Sequence, residues 1–168
     1  MNPVLVEATR GGIVESAHRG AVAVVDTDGE PVLAIGDIER LVFPRSAIKL
    51  LQALPLVASG AAERLSLGDA ELAVACASHG GEPVHVETVR GMLARAGFDE
   101  TALECGSHWP YHDASARALA AHAETPSALH NNCSGKHAGF LCLACALAGG
   151  GDARRFAAGY VEPDHPVM

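Results

Sequence analysis

The sequence predicts an α/β (α+β) protein in which N-terminal antiparallel strands pack with a mostly helical layer. Three observations carry that expectation. β-Branched runs crowd the first 36 residues, with Asp28-Gly29 between the last two of them, the strongest short hairpin signal in the chain. Beyond residue 46 the apolar residues recur with helical spacing and are broken by Gly- or Pro-containing turns. Hydrophobic residues make up 49% and charged residues 19% of the 168, a globular rather than disordered composition with one domain's worth of chain.

Taken in order, strands are expected over 3–9, 19–27 and 31–36, forming a small antiparallel sheet. Residues 1–40 are thus β-rich and 41–168 mainly helical. Phe43-Pro44-Arg45-Ser46 leads into a helix over 47–54, with Ser46 near its N-terminus and Pro55 marking a kink or the helix end. Further helices are expected over 69–77, 83–96, 114–123, 134–148 and 152–159. Asp113 and Ser134 are candidate N-caps, since their side-chain oxygens suit the free N–H groups of a first turn. Turns fall at Gly80-Gly81-Glu82-Pro83, His108-Trp109-Pro110 and Gly149-Gly150-Gly151. The last stretch, Tyr160 to Met168, reads as a loop heading toward further structure.

Composition excludes several classes. The formal net charge is −8 and no basic patch is present, so nucleic acid is not an expected partner. No signal peptide is visible at the start, and the apolar stretch Ala138 to Ala148 is too short to span a bilayer, so no membrane role is expected. Five cysteines, an odd number, suit reduced thiols in a cytoplasm better than a disulfide framework.

Chemistry concentrates around the lysines. There are only two, Lys49 and Lys136, against ten arginines. Arginine cannot stand in for a lysine that must lose a proton. Ser46 and Lys49, three apart, would share one face of a helix, and a desolvated amine can activate a serine hydroxyl. Ser78, in Cys76-Ala77-Ser78-His79-Gly80-Gly81, is either a second hydroxyl at a close-approach turn or a helix-closing residue. In Asn131-Asn132-Cys133-Ser134-Gly135-Lys136-His137, Cys133 could share a metal with His137, or a helix face with Lys136, or be an idle thiol at a helix start. Cys142-x-x-Cys145 lies on an apolar helix, where two buried small hydrophobes are the simpler reading than metal or redox chemistry. Cys105 is expected to be structural, in a loop. His85, His112 and His122 are expected to be exposed or capping residues.

Five runs together resemble one family: Val14-Glu15-Ser16 with His18 to Asp26, FPRSAIKLLQALPLV (43–57), CASHGGEPVHV (76–86), NNCSGKHAGFL (131–141) and PDHPV (163–167). They resemble the thermolabile, Rhizobium-type L-asparaginase II family, across essentially the whole chain and in order. The resemblance implies a fold like that of serine β-lactamases and glutaminases. It also implies a cytoplasmic amidohydrolase that converts L-asparagine to L-aspartate and ammonia, and a homodimer at full length. By position it implies that Ser46 and Lys49 form a Ser–Lys pair and that Ser78 is the serine of a second pair. Arg45 and His137 would contact substrate or order the site, and Cys133 and Lys136 would be two zinc ligands. Members of that family extend well beyond this length. The resemblance places the lysine partner of Ser78, a further cysteine ligand and an Asp in a C-terminal half that this sequence does not contain. The expected alternatives are an inactive truncated fragment, a subunit needing a complementing chain, or a β-lactam-recognising serine acyl hydrolase.

Overall fold

The computed structural model describes residues 1–168, and the chain divides into two compact units, Met1–Phe43 and Pro44–Met168. The first is all strand and the second all helix, so the class is mixed α/β as expected.

The first unit holds four strands rather than three. β1 (Val4–Arg10) pairs antiparallel with β2 (Ile13–Arg19), and β3 (Val22–Val25) pairs antiparallel with β4 (Pro31–Ile35). These are two separate two-stranded hairpins, not one small sheet. The expected strand over 19–27 splits at Gly20, and β2 was missed because Glu15, Ser16 and His18 dilute its β pattern. Its turn is Gly11-Gly12, with φ of 58° and 82°, the pair of left-handed positions that a tight two-residue hairpin demands. The β3–β4 connection is longer than Asp28-Gly29 alone. Asp26 Oδ1 accepts from the N–H groups of Asp28 and Glu30, both at 2.9 Å, and so organises the whole turn. Side chains of all four strands are exposed but for half-buried Ile35.

The second unit opens on a short 3₁₀ turn, Arg45–Ile48, and continues into α1 (Lys49–Ala58). Ser46 therefore lies in the 3₁₀ turn, ahead of the α-helix. Pro55 does not end α1 but lies inside it. The unexpected α2 (Ala61–Arg64) is a single turn. α3 (Asp69–Cys76), α4 (Pro83–Arg95), α5 (Asp113–Ala121), α6 (Ser134–Leu147) and α7 (Ala153–Ala157) fall close to their expected bounds. Two caps differ. Asp113 and Ser134 are the first residues of their helices, and His112 and Cys133 hold the cap positions. The Ser134 hydroxyl is buried and donates instead to Leu129 O at 2.9 Å. No helix is long and apolar enough to cross a membrane.

α6 is the axis of this unit. Every residue from His137 to Ala144 is buried, and the helix packs on α1, α2, α3, α4 and α7. A helix buried on all sides needs small residues where its neighbours come closest. Gly135 and Gly139 supply them. A Cβ on Gly135 would lie 2.2 Å from Val74 O of α3, whereas one on Gly139 would meet Ala75 Cβ at 3.4 Å and Leu56 Cδ2 at 3.6 Å, ordinary contact. The core around this axis is Leu56, Val74, Val89, Met92, Leu93, Leu129, Leu141 and Cys142. Glu71 of α3 pairs with Arg95 of α4, fixing those two helices to each other.

The two glycines give a paired prediction. Gly135→Ala forces α3 and α6 apart and lowers unfolding free energy by about 3 kcal/mol or more, the upper range for overpacking. Gly139→Ala is tolerated. Denaturant titration of both variants checks this, and equal stabilities would refute the close approach.

Candidate functional site

Lys49 is the first residue of α1, yet it is only 2% exposed. Three acceptors face its three N–H donors. Nζ donates to Ala77 O at 2.6 Å, to Ser78 Oγ at 2.9 Å and to Asn132 O at 3.3 Å. Ser78 Oγ in turn donates to Ser46 Oγ at 2.8 Å. The two serines are exposed. The structure thus brings Ser46, Ser78 and Lys49 together, in an order that differs from the expected one. Lys49 bonds Ser78 and reaches Ser46 through it. Ser46 and Lys49 are three apart in sequence, but the 3₁₀ turn between them and the burial of Lys49 turn the amine toward the end of α3. Within this chain the amine beside Ser78 is that of Lys49.

The backbone ahead of Ser46 is strained. Arg45 has φ of 54°, a left-handed conformation unusual for a side-chain-bearing residue and costly unless the surroundings enforce it. The Arg45 side chain is exposed. Neither the Ser46 nor the Ser78 N–H has a hydrogen-bond partner in the protein, whereas the neighbouring Ala47 N–H donates to Pro44 O and the His79 N–H to Asn132 O. Two free amide donors thus belong to the two hydroxyl-bearing residues.

The buried polar residues of the chain, Lys49, His79, Asn131, Ser134 and His137, all belong to this region. Asn131 donates to Cys105 O at 2.8 Å and to Gly106 O at 3.2 Å, and its Oδ1 accepts from the Cys133 N–H at 2.8 Å. His108 accepts at Nε2 from the Asn132 N–H at 3.0 Å. His137 has its Nδ1 2.8 Å from Tyr160 Oη, which also accepts from the Glu104 N–H at 2.9 Å. The neutral tautomer whose Nδ1 accepts the Tyr160 proton satisfies both groups and leaves Nε2 as the donor of His137. Burial pushes the Tyr160 hydroxyl up. Burial, helped by the charges of Lys136 and Lys49, holds His137 down at about 4. Burial does the same to His79, also at about 4, reinforced by His85, Lys49, His108 and His130. Tyr160, Asn131, His108 and His79 were missed as site residues. Tyr160 and His108 are far from the lysines in sequence, whereas the position of His79 beside Ser78 and of Asn131 in the run with Lys136 offered a signal.

Cys133 and Lys136 lie at the start of α6. Lys136 Nζ is 5.5 Å from the centroid of the Phe140 ring, a cation–π arrangement. No three His, Cys, Asp or Glu side chains lie close enough together to hold a metal ion. Cys105 is near Cys133, but burial pushes its thiol up to about 11, with the Cys133 thiol adding to the effect, and it donates to Ala128 O. His137 cannot offer Nδ1, which Tyr160 occupies. The donors of this chain do not complete a tetrahedral zinc site. Cys142 packs in the core with its thiol pushed up by burial to about 12, and all five cysteines are unpaired.

Two accessible hydroxyls held against a buried amine, beside free backbone N–H donors, have the parts for acyl transfer on a mixed α/β scaffold. A family model for L-asparaginase II matches residues 6–168. The chain belongs to the L-asparaginase II family, whose characteristic chemistry is asparaginase-type amide hydrolysis. Among curated proteins, none matches significantly.

Two predictions arise from the site. A folded His79 that stays neutral down to about 4, against 6.5 when unfolded, makes the unfolded chain hold more protons in that window. Its contribution to stability is whole above 6.5 and is lost as pH falls toward 4. Denaturant titrations between pH 7 and 4.5 show a steep decline that flattens in His79→Gln, and an equal slope in the variant would refute the shift. Elemental analysis after dialysis finds substoichiometric zinc on this chain, and Cys133→Ser lowers it further. Tight stoichiometric zinc would show that donors meet here which the geometry keeps apart.

Proposed function

We propose that the protein hydrolyses the side-chain amide of L-asparagine to L-aspartate and ammonia, with Ser46 as nucleophile and Ser78 and Lys49 as its proton relay. The observation that carries this reading is the continuous hydrogen-bonded line from Lys49 Nζ through Ser78 Oγ to Ser46 Oγ. With Lys49 as the neutral amine the line runs in reverse. The Ser46 proton passes to Ser78, the Ser78 proton to Nζ, and Ser46 Oγ attacks the carbonyl carbon. The oxyanion takes donors from the free N–H groups of Ser46 and Ser78. The proton returns along the same line to the leaving nitrogen, which departs as ammonia and leaves an aspartyl ester on Ser46. Water attacks that ester, giving up its proton to the relay, and Ser46 is regenerated.

The strained Arg45 supports this assignment, since it presents both the nucleophile and a guanidinium that can pair with the α-carboxylate of an amino acid. His137, with Nε2 as its remaining donor, supports a second polar contact to substrate. Zinc bound through Cys133 and Lys136 would need donors beyond those this chain brings together, and no step depends on it. Five unpaired thiols support a reducing, cytoplasmic setting. A second reading makes Ser78 the nucleophile, because it is the serine in direct contact with Lys49.

Ammonia release from asparagine tests the reaction. Lys49→Met removes the amine at similar length and lowers turnover by at least ~10²-fold, as expected for loss of a general base. Acid quenching during turnover, followed by peptide mass spectrometry, finds the aspartyl ester on the Ser46 peptide. An ester on the Ser78 peptide would transfer the nucleophile to Ser78, and undiminished hydrolysis by Lys49→Met would remove the relay altogether.

A further inference from the structure

Ser78 lies between the end of α3 and the start of α4, outside any helix, yet its hydroxyl sits within reach of both Lys49 and Ser46. The residue after it, His79, is 4% exposed. Its backbone N–H donates at 3.2 Å to Asn132 O, the same carbonyl that accepts from Lys49 Nζ. Its ring joins two segments. Nε2 is 2.9 Å from Ser134 Oγ, and Nδ1 accepts from the Gly81 N–H at 3.2 Å.

The protons on that ring can be assigned. The single Ser134 proton goes to Leu129 O, so Ser134 Oγ can only accept from His79, and Nε2 carries a proton. Nδ1 accepts, so it carries none. One neutral tautomer satisfies both contacts, and neither the other tautomer nor the cation does. Ser134 is fully buried, so losing His79 would leave a hydroxyl acceptor unmatched in the core. The ring of His85 stacks on His79 with centroids 5.1 Å apart and covers one face.

We propose that His79 is a positioning residue: as the Nε2–H tautomer it clamps the Ser78 segment to the Asn132–Ser134 corner and thereby keeps Lys49 enclosed against Ser78. Its bearing on catalysis rests on the relay proposed above. The clamp itself is a statement about loop and lysine, and it is tested without turnover.

The scarcity of lysine supplies the assay. Trinitrobenzenesulfonate labelling, read by peptide mass spectrometry, follows Lys49 and uses Lys136 as an internal reference. In folded His79→Ala, Lys49 is labelled faster by about tenfold or more, the scale set by one lost buried hydrogen bond, while Lys136 is unchanged. His79→Gln keeps a donor toward Ser134 and restores labelling close to the parent rate. An unchanged Lys49 rate in folded His79→Ala would overturn the clamp. Should both variants fail to fold, nitrogen-15 spectra of the parent's histidines decide: an Nε2–H tautomer at pH 7 supports the clamp, and an Nδ1–H tautomer overturns it. Asparagine hydrolysis is measured on the same samples. A parent without activity sinks the proposed reaction and leaves the labelling result standing. With an active parent, His79→Ala lowers kcat more than it raises KM and His79→Gln recovers most of it.

Discussion

An ammonium group with almost no solvent contact must have its three N–H donors met by the protein, and Lys49 meets them with Ala77 O, Ser78 Oγ and Asn132 O. Stripping partners from a buried charge costs on the order of 3–5 kcal/mol, a large share of the stability of a domain this size. The three acceptors come from the end of α3, the segment after it and the turn before α6. Satisfying one side chain therefore fixes three stretches of chain that are distant in sequence. The site is built around that requirement, with the serines on its solvent side and the neutral histidines behind it.

The helices can meet this requirement only because α6 lets α3 and α1 come close. Gly135 admits the Val74 carbonyl and Gly139 admits Ala75 and Leu56. A larger residue at Gly135 would push α3 outward and take Ser78 away from Lys49. Helix packing and site geometry are in this sense one constraint, and the run from Asn131 to His137 serves both. Asn131 fastens the Cys105–Gly106 loop to the α6 start, Asn132 supplies the shared carbonyl, and Ser134 anchors the ring of His79.

Behind the serines the histidines are fixed by partners that leave each a single role. Tyr160 holds Nδ1 of His137, and Ser134 with Gly81 selects the tautomer of His79. Low proton affinity at both follows first from burial, with nearby lysine charge adding to it, so both rings are neutral at neutral pH. The same burial that lowers the histidines raises the thiols of Cys105 and Cys142, which keeps those cysteines in the packing and out of the chemistry.

Local pattern was enough for the helices other than the single turn α2, since their apolar spacing and Gly or Pro punctuation lie within a few residues of one another, and for the β3–β4 hairpin with its Asp-Gly turn. It also made the lysines stand out, since two among twelve basic residues is a bias visible without any coordinates. It failed for β2, where polar residues interrupt the strand pattern, and for the cap roles of Asp113 and Ser134, where a hydroxyl found a better partner in the core than at the helix start. What only the tertiary structure decided is which groups meet. Three-residue spacing suggested that Lys49 serves Ser46, but a buried amine follows the acceptors available to it, and those lie 28, 29 and 83 residues away. The pairing of Lys49 with Ser78, the strain at Arg45 and the hold of Tyr160 on His137 arise from burial and long-range packing, which no local window of sequence contains.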